Sequence, residues 1–101
     1  MNPYEEVSFQ LILHGGNARA EAYCALKAAR NGDFAGAEKH LKKADEELKI
    51  AHEEQAKLLQ DEAGGASITP TFLLVHAHGH VMTAIAEKNL IEEMLEILKK
   101  K

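Results

Sequence analysis

Between residues 34 and 58 the chain repeats Phe34, Ala37, Leu41, Ala44, Leu48, Ala51, Gln55 and Leu58, in steps that alternate between three and four. Steps of that kind place every member on one face of an α-helix, the seam along which helices pack side by side in coiled-coil fashion. No period-two alternation competes with it, so the middle of the chain is helical and needs helical neighbours. The flanking signals divide the rest. Asn31-Gly32 is a helix stop and Asp33 an N-cap, which together predict a tight antiparallel turn. Ala63-Gly64-Gly65 ends the second segment, and Ser67 or Thr69 is expected to cap a third. The two prolines, Pro3 and Pro70, stand where a first helical turn begins. The expected fold is all-α: one domain over residues 1–101, an antiparallel three-helix bundle with helices at about 3–31, 33–64 and 69–99.

The third helix carries more apolar surface than two neighbours use. One row is Leu74, Ala77, Val81, Ala84, Ile91, Leu95 and Leu98; a second beside it is Val75, His78, Met82 and Ile85, with Met94 further on. A monomeric bundle buries the first row and leaves much of the second in water. The second is therefore expected to pack against copies of itself about a symmetry axis. Size favours this too, because a chain of 101 residues buries only roughly 60 to 70 per cent of its unfolded surface.

Charge and cysteine usage exclude other classes. A net charge of −4 gives no concentrated basic face for nucleic acid, and the Lys99–Lys101 run complements a helix dipole at its C-terminal end. Cys24 is the only cysteine and forms no intramolecular disulfide; it is expected to be a small core residue. The N-terminus lacks a signal-peptide layout, and no apolar run reaches the roughly 20 residues of a membrane span. The expected location is the cytoplasm.

The sharpest chemical feature is Val-His-Ala-His-Gly-His-Val-Met at 75–82. At 100° per residue, His76 and His80 are neighbours one turn apart, with Thr83 extending the strip, while His78 points about 160° to 200° away. The three do not meet on one chain. An i, i+4 histidine pair suits two zinc ligands, a phosphoryl- or proton-transfer pair, or a solvated pair. No cysteine or acidic partner lies nearby in the segment, and His52 joins only if packing brings it there. His78 alone reads as a hydrogen-bonded core histidine, or as a group whose symmetry copies come together.

The blocks Gly16-Asn17-Ala18-Arg19, Ala25-Leu26-Lys27-Ala28-Ala29 with Gly32-Asp33-Phe34, Ala51-His52-Glu53-Glu54-Gln55, and Leu74-Val75-His76-Ala77 with His80, Met82 and Thr83 resemble the lactose/cellobiose-type enzyme IIA of the bacterial sugar phosphotransferase system. The resemblance spans essentially the whole chain. It implies three long helices assembled as a homotrimer. It further implies that His76 accepts a phosphoryl group from the carrier HPr and passes it to enzyme IIB, which serves uptake of a β-disaccharide of the lactose or cellobiose/chitobiose class. The membrane is then reached only through the permease component. His80 is implied to assist at the phosphoryl group. Neutral imidazole is nucleophilic near neutral pH, and positioning with charge stabilisation does most of the work of phosphoryl transfer. No cofactor is required.

Two adjacent positions depart from the family pattern. His78 stands where the family has Gln, and Gly79 where it has an Asp that lies buried at the trimer axis and is able to hold a divalent cation or a shared proton. Either the axial group is simply lost, or His78 replaces it as a metal ligand. The alternative function that follows is a helical trimer binding a divalent metal through its histidines, or a transfer-impaired interaction module. Of the remaining features, Gly15-Gly16 is expected to mark close helix approach and Ala20, where the family often has Ser, is read as neutral. His52 and Gln55 are expected to line the site or pack between helices, and His14 and His40 to be surface or boundary residues.

Overall fold

The structure is a computed structural model that describes residues 4–101. Three helices follow in order, α1 (Glu5–Arg30), α2 (Phe34–Ala63) and α3 (Phe72–Lys99), with no strand among the described residues. Pro3 lies outside them. Each boundary has a local cause. Glu5 and Glu6 in the first turn of α1 and Lys27 and Arg30 in its last turn complement the helix dipole. After Asn31, Gly32 takes a left-handed φ of 81°, and the Asp33 N–H returns to the Ala28 carbonyl at 2.9 Å, closing α1 as a glycine C-terminus does. Asp33 then caps α2, its Oδ1 accepting from the Gly36 N–H at 2.9 Å. The hairpin has the residues the sequence assigns to it.

The start of α3 differs from expectation. Neither Ser67 nor Thr69 caps the helix, and Pro70 is not in its first turn. Thr71, in an extended backbone conformation, accepts the Leu74 N–H on its hydroxyl at 3.1 Å. The connection before it runs beside an apolar groove lined by Ile68 and Pro70 with Leu11, Leu58 and Leu74.

Helix α1 lies between the other two and packs along both, whereas α2 and α3 meet each other far less. The result is a rod of 52 × 22 × 17 Å. Small side chains allow the close approach. At the hairpin end Ala22, Ala25, Ala29, Ala37, Leu41, Ala44, Ile91 and Leu95 form one buried cluster; at the other end only Leu11, Ala51, Ala77 and Val81 do so. The seam of α2 and the first row of α3 supply their share as expected. Two side-chain contacts, His14 Nδ1 to Glu47 Oε2 at 2.5 Å and His40 Nδ1 to Glu21 Oε2 at 2.6 Å, tie α1 to α2 at boundary positions.

Three side chains depart from the sequence reading. Cys24 is exposed, because the buried face of α1 runs through Ala22, Ala25 and Ala29 and position 24 points about 200° from position 22. Lys88 fills the gap between Ala84 and Ile91 in the first row of α3 and is only 8 % exposed. Its stem completes the core while its ammonium reaches Asp45 at 2.6 Å and also Glu92. Of the expected surplus row, Val75, His78, Met82 and Met94 are exposed as expected. Ile85 is half-buried, packed against the small cluster, and the exposed stripe runs through Val75, Met82, Ala86, Leu90 and Ile97, with Gly79 inside it.

Candidate functional site

Residues 76, 80, 83 and 87 recur at steps of four, three and four, so His76, His80, Thr83 and Glu87 share one face of α3. The structure brings the two histidines together as the spacing requires. Their rings lie nearly parallel, 16° apart with centroids at 6.1 Å. Phe72, one turn earlier and 88 % exposed, continues the ladder at 6.3 Å and 14° from His76. His76 is exposed and His80 half-buried. One ring is open to a partner and the other anchored.

The anchor comes from α1. Gly15 and Gly16 bring that helix against His80: a Cβ on Gly15 would stand 3.3 Å from both His80 Cδ2 and Val81 Cγ2, and one on Gly16 3.4 Å from His80 Nε2. The two glycines therefore mark close helix approach, as the sequence suggests. One turn beyond Gly15, Arg19 reaches over the same face. Its Nε donates to Glu87 Oε2 at 2.6 Å, Nη1 lies 3.1 Å from His80 Nδ1, and Nη2 reaches Thr83 Oγ1 at 2.5 Å and the His80 carbonyl at 3.3 Å. Burial, then the charges of Arg19 and His76, hold the His80 imidazole below its ordinary pKa against the opposing pull of Glu87. At neutral pH it is an uncharged ring.

His78 faces the other way. Its Nδ1 accepts from Gln55 Nε2 on α2 at 3.0 Å, and the ring is exposed rather than in the core. His52 is exposed and does not join His76 and His80. Among the described residues no group of three or more His, Cys, Asp or Glu stands close enough to hold a metal ion. Gly79 is exposed, carries no carboxylate, and a Cβ there would meet nothing within 4 Å, while His78 spends one ring nitrogen on Gln55.

The sequence reading gave no role to Arg19, Glu87 or Lys88. A signal for the first two was present: the row from His76 to Glu87 is polar throughout and contains an acid, and Arg19 falls four residues after Gly15, on the face of α1 that must approach it.

The chain is similar over most of its length to known proteins. Residues 6–99 match the family model described as the lactose/cellobiose-specific IIA subunit of the PTS system. The lichenan-specific phosphotransferase enzyme IIA component of Bacillus subtilis is 46% identical over 96 residues, 95% of this chain and 87% of that protein. The crystal structure of the cellobiose-specific enzyme IIA of the PTS from Bacillus anthracis superposes with a TM-score of 0.95 at 42% identity, covering 99% of this chain and 92% of that one. A solution structure of the IIA(chitobiose)–HPr complex from Escherichia coli matches at a TM-score of 0.84 and 39% identity, over 99% of this chain and 97% of that one.

Proposed function

Because the chain belongs to the lactose/cellobiose-specific IIA subunits of the phosphotransferase system, we propose that it is a phosphocarrier in which His76 holds the phosphoryl group and His80 supports it. The observation that carries this is the pair itself: an exposed imidazole stacked one turn from a half-buried, uncharged one on a rigid helix. A ring nitrogen of His76 attacks phosphorus, the bond from phosphorus to the donor breaks, and the same group later leaves for the next acceptor. An N–H of His80 stabilises the phosphoryl oxygens in both directions. HPr is the donor by analogy with the chitobiose relative solved in complex with HPr, enzyme IIB is the acceptor, and the sugar served is a β-disaccharide. No helix among the described residues is long and apolar enough to cross a membrane, which suits a carrier that works beside a cytoplasmic membrane surface.

The exposed stripe from Val75 to Ile97 is the surface on which three copies pack through α3. A particle of monomer size in solution at micromolar concentration overturns that assembly. For the transfer itself, phosphoenolpyruvate, enzyme I and HPr are expected to label the wild-type protein and not His76→Ala. Label that persists in the variant assigns the acceptor elsewhere.

A further inference from the structure

The exposed stripe of α3 has α1 on one side and α2 on the other. On the α1 side stand His76, His80 and Arg19; on the α2 side stands His78, held by Gln55. At the hairpin end the two sides differ in charge. Lys27 and Arg30 follow Arg19 by eight and eleven residues, about 80° and 20° from it around α1, and both are exposed. Glu93 and Glu96 follow Val75 and His78 by eighteen residues, five whole turns, and share a groove with Glu38, Lys42 and Asp45 of α2. Among the described residues no ion pair within the chain engages Lys27, Arg30 or Glu93, and Glu96 reaches Lys99 at 3.6 Å.

The levels match as well as the signs. Helices α1 and α3 run the same way, with Gly15 against Val81, 66 positions on. At equal rise per residue Lys27 is level with Glu93 and Arg30 with Glu96, yet α3 stands between them in one chain. Rotation about an axis parallel to α3 keeps every level and brings the α1 side of one copy to the α2 side of the next. We propose that copies of this chain close into such a parallel ring. Lys27 and Arg30 of one copy pair with Glu93 and Glu96 of the partner subunit, and the partner's His78 joins the His76 site. An antiparallel pair would instead set the acidic groove against the apolar groove of Leu58, Leu59 and Val75, which desolvates carboxylates without partners. In the ring, the partner's His78 is only two residues, about 3 Å, from His76 in level. The site then takes one side chain from each of two copies. This deepens the assembly and transfer readings above and rests on them.

Charge reversal tests the pairing. Lys27→Glu with Arg30→Glu, or Glu93→Lys with Glu96→Lys, is expected to weaken assembly about tenfold in sedimentation at low salt. All four changes in one chain are expected to restore it, a rescue that no contact within the chain can give. Unchanged helix content by circular dichroism shows that these exposed positions leave the fold intact. Reversals without effect, or the fourfold variant no better than either double, overturn the pairing. For the site, His78→Glu is expected to slow labelling of His76 by HPr about tenfold through like charge. Refolding it with an excess of His76→Ala copies, which carry no acceptor but keep His78, is expected to return the wild-type rate. Slowness that persists in the mixture, or none in His78→Glu, overturns the placing of His78. Wild type that assembles and responds to charge reversal but takes no label overturns the transfer reading alone.

Discussion

The two ends of the rod are built differently. The hairpin end closes with a capped turn and a cluster of eight buried residues drawn from all three helices. The site end has a buried apolar cluster of four, a connection without regular structure from 66 to 71, and apolar side chains at Leu59, Phe72 and Val75 left in water. The first end supplies stability and the second spends it on an open face.

Truncation tests this contrast most strongly. Leu95 and Leu11 are both fully buried, one in each cluster. Leu95→Ala is expected to cost about 3 to 5 kcal/mol and Leu11→Ala about 2 to 3, since the half-buried Val7, Ile12, Leu58, Leu74 and Ile85 around Leu11 are free to collapse into the cavity. Urea unfolding of both variants decides it, and equal losses would erase the distinction between the ends. Next in size is Gly15→Val. Its side chain would enter the space already held by His80 and Val81, at a cost of about 1 to 3 kcal/mol, and with displacement of the His80 ring signals that no hairpin-end variant shares.

Glycine at 79 gives the opposite sign. With nothing near its missing Cβ, Gly79→Ala is expected to stabilise the fold by about 0.5 to 1 kcal/mol through helix propensity alone. A loss instead would mean that a copy packed on this face stands too close to position 79 for a methyl group. The smallest effect is the pH dependence of the site end. The His80 pKa is lowered from 6.5 in the fold, so the unfolded chain binds the proton first as pH falls. That contribution to stability is whole above the ordinary value and is lost as pH drops through the folded one. The urea midpoint of the wild type is expected to fall between about pH 7 and about pH 5 more than that of His80→Gln; parallel slopes would remove His80 from the account.

Much of this was legible beforehand, for reasons that differ by residue. The Asp33 cap and the Gly32 stop depend on backbone chemistry within a few residues, which a linear pattern contains. The opposition of His78 to His76 and His80 follows from the helical angle alone. Cys24 was misplaced because an isolated small residue has no periodic neighbours to fix its face until those of Ala22, Ala25 and Ala29 are read together. Lys88 was invisible for a related reason: a charge in an apolar row reads as an interruption, and only the positions of Asp45 and Glu92 show its head satisfied while its stem is buried.

Sequence alone determined the helices, the hairpin, the family resemblance and the face on which His76 and His80 lie, because each is a matter of local periodicity or residue type. Tertiary structure decided what stands opposite that face. Arg19 is 61 residues from His80 and meets it where Gly15 and Gly16 let α1 and α3 approach closely; what stands across that gap depends on rigid-body packing, which no spacing along the chain encodes.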